Sequence, residues 1–452
     1  MDTPQSFQHQ LLQDLLHISP PTQHLWIAYS GGLDSSVLLQ ALAALRQNIE
    51  QFKLHAIHIH HGLHPQADDW AKHCQQTSES LDIPCEVIRV KIHVAPRESL
   101  EACARTARYE AITQLLAPDD VVLTAQHADD QAETVLLQLL RGAGVAGLAA
   151  MPQVSRLEPG WLVRPLLAYT RVQLHAYAQQ INLSWLEDSS NADTRFDRNF
   201  MRHEIMPLLQ QRWSSVSHTL CRVARHQAEA DELIQILAAQ DWQNCQGNGP
   251  DQLLLSPLSH LSPARQRQLL RFWLKKLSLS IPTTLQLQQI INDMLTAKAD
   301  AQPLVRWHGC EVRRYHNTLY AMPNLPTVPD SSQHFTWSLP TPKPLPLGQL
   351  SVKKVSGEGL ILPAGSPLQI RFRIGGEKFY WHGHWRVVKK LLQAAKLLPW
   401  QRKFIPLIYL ENVLVVIPNI GIHDHFIAQD GEMGWEITWL IVNDCNYSVL
   451  AC

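Results

Sequence analysis

The sequence predicts an α/β chain: a parallel sheet wound with helices at the front, a helical domain behind it, and a small α+β domain at the C-terminal end. Three observations predict this. Short apolar runs alternate with amphipathic stretches over residues 1–215, the pattern turns helical over 216–322, and short β-like runs surround one basic helix in 350–452. The 452 residues are enough for two to four domains. With 45% hydrophobic and 17% charged residues the composition is that of a globular chain, too apolar for a disordered one.

LWIAYS (25–30), KLHAIHIHH (53–61), CEVIRVKI (85–92) and VVLTAQ (121–126) read as strands, and the segments beginning at Ser35, Gln66, Glu98 and Asp129 read as helices. In sheets of this kind ligands sit outside the carboxyl ends of the strands. RHQAEADELIQILAAQ and PARQRQLLRFWLKKL are the clearest helices of the 216–322 region. Pro323, Pro326, Pro329, Pro340, Pro342, Pro344 and Pro346 make 323–349 a stiff, extended linker. Behind it LQIRFRI, FIPLIYL and VLVVIP flank the helix VVKKLLQAAKLL, and no internal repeat is present.

The formal net charge of -1 excludes a uniformly basic coat, yet it conceals an asymmetry. Residues 1–215 carry 16 basic and 23 acidic side chains, 216–344 carry 12 and 9, and 345–452 carry 11 and 8. The N-terminus lacks a cationic flank followed by an apolar run, which argues against a secretory signal, and no stretch approaches a membrane span. Eight scattered cysteines without a C-x-x-C pair predict reduced thiols in a cytoplasmic protein.

The strongest local signal is residues 25–42, where an apolar strand enters Ser30, Gly31, Gly32, Leu33, Asp34, Ser35 and Ser36 and a helix follows. Two glycines let the backbone turn tightly and present bare N–H groups to an anion at a helix N-terminus. No Gly-Lys-Ser or Gly-Lys-Thr follows, so this is not a Walker A loop. Asp34 would repel a polyphosphate unless Mg²⁺ lay between them; the plainer alternative is an ordinary turn with a Ser/Asp cap.

In residues 123–142 a second helix opens at a strand end with Asp129, Asp130 and Glu133. Asp130 and Glu133, three apart, share a face and could hold a metal or an ammonium group, or merely complement the helix dipole. Gly142, Gly144 and Gly147 spell a dinucleotide fingerprint, but they follow a helix, where that motif must follow a strand. Arg105, Arg108 and Tyr109 share a helix whose arginines could grip a phosphate or pair with Glu98 and Glu101. His55, His58, His60, His61 and His64 invite a zinc reading, but no acid or cysteine accompanies them; His61, at a strand end before Gly62, fits a nucleotide border better.

Arg195, Arg198 and Arg202 stand among acids in 187–209, a charged hinge or a functional helix. In 371–403 nine basic residues face one acid, Glu377, and Phe379, Tyr380, Trp381, Trp385 and Trp400 are interleaved. That composition suits RNA, with aromatics to stack on unpaired bases, or a solvated helix face over core aromatics. Arg265, Arg267, Arg271, Lys275 and Lys276 form a lesser basic stripe.

SGGLDSS resembles the pyrophosphate loop of the ATP-pyrophosphatase superfamily. HIHHGL (58–63), ARTARY (104–109), AQHADDQAET (125–134), RGAGVAGLAAM (141–151), RPLL (164–167), WLEDSSNADTRFDRNFMR (185–202), RWHGCEVRRY (306–315) and GGEKF…VVKKLLQ…PW (375–400) resemble, in order, one branch of it, the bacterial tRNA(Ile)-lysidine synthetases. The resemblance spans essentially the whole chain. It implies a Rossmann-like PP-loop ATPase domain over 1–215, a helical tRNA-binding domain over 216–322, and a basic tRNA-binding domain over 350–452.

The implied reaction adenylates the wobble cytidine of an isoleucine tRNA with a CAU anticodon, using ATP, after which free lysine displaces AMP to leave lysidine. The codon read changes from AUG to AUA and the charged amino acid from methionine to isoleucine. The resemblance further implies that Ser30, Gly31, Gly32, Leu33, Asp34, Ser35 and His61 hold ATP, that Asp34 binds Mg²⁺, and that Asp130 and Glu133 receive lysine. Arg105 would act on the activated phosphate, with Arg108, Arg198 and Arg202 as further candidates. Arg198, Arg202, Arg371, Arg373, Lys389, Lys390 and Arg402 would meet tRNA.

An ε-amine is over ~99% protonated near neutrality, so a carboxylate pair that holds it and takes its proton meets a real demand. A PP-loop tRNA thiolase is the main alternative, though it would call for paired cysteines. A non-catalytic RNA binder should have lost Asp34, Asp130 or Glu133, and an amidotransferase lacks its glutaminase. A homodimer is an open expectation.

Overall fold

The computed structural model describes residues 3–449 apart from 19, 21, 50–51, 93, 95–99, 189–192, 299–300, 331–332, 364 and 444–445. Glu98, where a helix was expected to begin, and Cys445 and Cys452 lie outside the described residues. The chain divides into two units, residues 1–234 and 235–452.

In the first unit α1 (Pro4–Ile18) leads into β1 (His24–Ala28), α2 (Leu33–Ala44), β2 (Lys53–His60), α3 (Ala67–Ser80), β3 (Cys85–Arg89), α4 (Leu100–Thr113), β4 (Val121–Leu123) and α5 (Ala128–Leu140). The four expected strands are all present and mutually parallel. β4 is buried at every residue, as an apolar run covered on both faces must be. Leu25 and Ile27 of β1 pack with Val37, Leu38 and Leu42 of α2 and with Leu11 and Leu15 of α1 in the main core.

A short α6 (Val145–Leu148) precedes the hairpin β5 (Val154–Leu157) and β6 (Gly160–Val163), which the sequence reading did not find. β6 joins β4 in parallel and β5 closes the edge antiparallel, giving the order β3-β2-β1-β4-β6-β5. The order reverses between β1 and β4, so the crevice for a ligand opens beyond the carboxyl ends of these two strands. The Ser30 loop follows one of them and His127 follows the other.

After α7 (Arg171–Gln180) come α8 (Asp197–Phe200), a wide π-helical turn at Met201–Ile205, α9 (Met206–Arg212) and the 30-residue α10 (Val216–Cys245). Pro207 has no N–H to close its helical bond, and the wide turn stands immediately ahead of it. One turn separates Arg198 from Arg202 on this bent segment.

In the second unit α12 (Pro263–Lys276), which the sequence predicts, packs with α11 (Leu255–His260) and α13 (Thr284–Thr296) around Trp273 and Leu274. The region read as wholly helical also holds an antiparallel sheet of β7 (Gln252–Leu254), β8 (Leu304–Trp307), β9 (Cys310–Tyr315) and β10 (Thr318–Pro323). Its charged residues pair within the sheet, which obscures the strand pattern: Glu311, fully buried, accepts Nε–H bonds from Arg306 at 2.7 Å and Arg313 at 2.6 Å.

Part of the proline-dense passage is likewise sheet. β11 (Phe335–Trp337) and β12 (Lys343–Leu345) are edge strands, where a proline such as Pro344 costs no ladder bond. β12 pairs with β13 (Gly348–Ser356), and β11 pairs with β14 (Leu368–Arg371). The hairpin β15 (Lys378–Trp381) and β16 (His384–Val387) leads into α14 (Val388–Ala394). β17 (Leu407–Leu410), β18 (Val413–Ile417), β19 (Gly421–Ile422), β20 (Met433–Asn443) and β21 (Asn446–Val449) complete two antiparallel sheets.

Candidate active site

The turn after β1 is held by its own hydroxyls. Ser35 Oγ lies 3.0 Å from Ser30 Oγ and donates to the Gly32 carbonyl at 3.0 Å, while Ser36 Oγ donates to the Gly31 carbonyl at 3.2 Å. Gly31 has φ +84°, and a Cβ there would stand 2.7 Å from Leu186 Cδ1. Leu186 also ties its backbone N–H to the Gly31 carbonyl at 2.9 Å. The glycine is therefore required for its left-handed backbone, while the end of the Leu186 side chain would have to shift to admit a Cβ.

Asp34 opens α2 from this turn. Its Oδ2 faces His127 Nε2 at 3.7 Å, and its Oδ1 is buried without a partner. Burial, opposed by His127 and reinforced by Asp130, holds its carboxyl above the ordinary aspartate range.

From the neighbouring strand, His127 caps α5: its Nδ1 accepts the Asp130 N–H at 3.4 Å and its own N–H donates to Asp130 Oδ2 at 3.1 Å. This leaves Nε2 toward the carboxylates, 3.5 Å from Asp130 Oδ2. His127 is only 1% exposed and links Asp34 to Asp130, a role the sequence reading missed. Its one signal was a polar ring at a strand end immediately ahead of the acids.

Asp129 accepts from Ser217 Oγ at 2.6 Å and the Arg171 N–H at 2.8 Å, with its Oδ2 3.7 Å from His127 Nδ1. Asp130 and Glu133 face inward together, as their spacing predicts, and meet two guanidinium groups. Arg202 donates from Nε to Glu133 Oε1 at 2.7 Å and from Nη2 to Asp130 Oδ1 at 2.7 Å and Glu133 Oε2 at 3.0 Å. Arg198 donates from Nε to Glu133 Oε2 at 3.1 Å and from Nη2 to Asp130 Oδ1 at 2.9 Å.

Burial works against ionisation of Asp130, but His127, Arg198 and Arg202 outweigh it and hold the carboxyl below its usual range. The same pairing raises both guanidinium groups against the cost of their own burial. Arg198 and Arg202, expected on tRNA, thus turn onto the carboxylates expected to take lysine.

At the end of β2, His58 Nδ1 lies 3.0 Å from the Tyr29 carbonyl oxygen and His60 Nε2 lies 3.2 Å from Asp68. His61 Nδ1 is buried without a partner, while its Nε2 lies 3.4 Å from Arg108 Nη2. Burial, with Arg108 close by, lowers the His61 pKa to about 4. Arg105 is exposed, its guanidinium 5.3 Å above the Tyr109 ring.

Family models match the chain in three places: a PP-loop domain over residues 4–209, a TilS substrate binding domain over 253–320 and a TilS substrate C-terminal domain over 368–439. A tRNA(Ile)-lysidine synthase of Coxiella burnetii is 44% identical over 416 residues, covering 91% of this chain and 92% of that protein. The chain belongs to the tRNA(Ile)-lysidine synthase family. Other members of the family include one from Serratia proteamaculans, 40% identical over 92% of this chain and 95% of that protein, and one from Legionella pneumophila, 39% identical over 91% and 95%.

As in other PP-loop members, ATP is the energy source the fold is built to use. Among the C-terminal residues expected on tRNA, Lys389 and Lys390 are exposed on α14. Three arginines are committed to the fold of this family member. Arg371 lies 4.5 Å over Tyr409 and donates to Gln369 and to the Glu411 carbonyl. Arg373 is 15% exposed beside Glu377, and Arg402 donates to the Leu397 carbonyl at 2.8 Å and Tyr315 Oη at 3.4 Å. Trp400 is buried 5.2 Å from Tyr320, whereas Trp385 is 64% exposed.

Proposed function

We propose that this protein ligates free lysine to carbon-2 of the wobble cytidine in an isoleucine tRNA with a CAU anticodon. ATP first adenylates the carbon-2 carbonyl oxygen and releases pyrophosphate. The ε-amine of lysine then attacks carbon-2, the bond to the activated oxygen breaks, and AMP leaves. The product is lysidine, which pairs with A and redirects charging from methionine to isoleucine.

The observation that carries this reading is the convergence of Asp34, His127, Asp130 and Glu133 at the switch point between β1 and β4. Residues 30–35, with His61 at the neighbouring strand end, would hold ATP against the helix N-terminus. The buried, unpartnered Oδ1 of Asp34 fits a Mg²⁺ ion, which would offset the phosphate charge next to it. Asp130 and Glu133 would orient the ε-ammonium and accept the proton released on attack. Arg105 would face the activated phosphate, and Lys389 and Lys390 the RNA.

The proposed divisions are a catalytic region over 1–215, a tRNA-binding region over 216–322, the connecting passage 323–349 and a second tRNA-binding region over 350–452. A sulfur-transferring alternative finds less support. Burial raises the thiols of Cys74 to about 12 and of Cys85 and Cys221 to about 11, away from reactive thiolates.

The test is incubation with ATP, Mg²⁺, radiolabelled lysine and the isoleucine tRNA transcript. Label should enter the RNA only when ATP is present. Label-free RNA alongside sulfur incorporation from a persulfide donor would favour the thiolase.

A further inference from the structure

The carboxylate pair proposed to receive lysine is already occupied. Asp130 Oδ1 accepts from both arginines, Asp130 Oδ2 accepts the His127 N–H, Glu133 Oε1 accepts from Arg202, and Glu133 Oε2 accepts from both arginines. A carboxylate has about four lone-pair sites, so each retains about one. An incoming ammonium brings three N–H donors and a third positive charge to two carboxylates. The Glu133 side chain is 2% exposed, so water offers it little compensation. An amine therefore binds there only if a resident cation moves.

The two arginines are not equivalent. Arg202 makes three bonds of 2.7 to 3.0 Å, and its charge is also coupled to Asp34. Arg198 makes two, of 2.9 and 3.1 Å, from the short α8 ahead of the wide turn. Both side chains are equally exposed, at 25%, so solvent reaches each of them and it is the number and length of their bonds that separates the two.

We propose that Arg198 is an internal occupant of the amine subsite, and that the ε-ammonium of free lysine enters by displacing its guanidinium from Asp130 and Glu133. This rests on the reading of those carboxylates as the lysine site. Arg198 is thereby a positioning residue: it keeps the pair ionised and aligned while the subsite is empty, and sets how tightly lysine binds. Arg202 remains in place and holds the carboxylates for the exchange.

The test is calorimetric titration of lysine into the full-length protein without ATP or tRNA, for wild type, Arg198→Met, Arg198→Lys and Glu133→Gln. Arg198→Met should bind lysine about tenfold tighter than wild type, because no tethered cation competes. Arg198→Lys, which keeps one, should stay within about threefold of wild type, and Glu133→Gln should lose binding.

Equal or weaker binding by Arg198→Met, with binding lost in Glu133→Gln, overturns the exchange and leaves the carboxylate site standing. Wild-type affinity in Glu133→Gln, or no binding by any of the four proteins at millimolar lysine, overturns both. Should Arg198→Met not fold, nitrogen-15 spectra of the wild-type arginine Nε–H groups decide the matter, with the Arg198 signal assigned from Arg198→Lys. Saturating lysine should expose the Arg198 Nε–H to solvent exchange and leave that of Arg202 protected. An Arg198 signal that stays protected with lysine bound overturns the exchange.

Discussion

Asp34 and Glu133 are both carboxylates at the same crevice, yet their surroundings differ. Asp34 has one buried oxygen with no partner and a carboxyl that burial raises, whereas both Glu133 oxygens hold guanidinium N–H groups. The first arrangement suits a metal-bound nucleotide and the second suits an amine. Asp34→Asn should therefore lower tRNA-dependent pyrophosphate release by about a hundredfold or more, the scale on which a lost electrostatic group acts at a reacting centre. Glu133→Gln should slow lysine transfer by at least about tenfold more than it slows pyrophosphate release. Equal losses in the two half-reactions would undo this division of roles. The i, i+3 spacing made the shared face of Asp130 and Glu133 legible from sequence. Their arginine partners were not, because Arg198 and Arg202 lie 65 to 72 residues further along and reach the site only through the tertiary fold.

Among the elements, the turn between β1 and α2 is the one whose conformation the sequence states most directly. Gly31 adopts φ +84° with Leu186 packed where a side chain would stand. Gly31→Ala should cost about 1–2 kcal/mol from backbone strain alone, and more from the contact. Thermal unfolding should show a lower Tm, and adding Leu186→Ala should recover only the part due to contact. An unchanged Tm would mean that the turn tolerates a side chain. Other elements were less legible. The β5–β6 hairpin is too short for a clear period, and β8, β9 and β10 carry charges that pair along the sheet. β11 and β12 hide in a proline-rich passage because edge strands tolerate proline.

At the scale of the whole molecule, the net charge of -1 is a cancellation between an acidic front, with 16 basic against 23 acidic residues, and two basic regions behind it. The basic count includes arginines with partners inside their own unit: Arg371 and Arg402 donate to backbone carbonyls, and Arg373 stands beside Glu377. Composition could not separate these from Lys389 and Lys390, which are exposed on one helix. Replacing both lysines by alanine should weaken tRNA binding and reduce the slope of log affinity against log salt by roughly 1 to 2. Arg371→Ala should lower the Tm while leaving that slope nearly unchanged. The reverse pattern would assign the RNA to the arginine.

Ligation of lysine at carbon-2 of the wobble cytidine leaves a nucleoside that reports on it directly. The isoleucine tRNA transcript is incubated with the protein, ATP, Mg²⁺ and lysine, digested to nucleosides and weighed. A new nucleoside with the mass of cytidine plus lysine less one water should form at the wobble position, and should be missing when ATP is withheld or the wobble base is uridine. Unmodified cytidine, or a mass gain equal to sulfur in place of oxygen, would contradict lysine ligation.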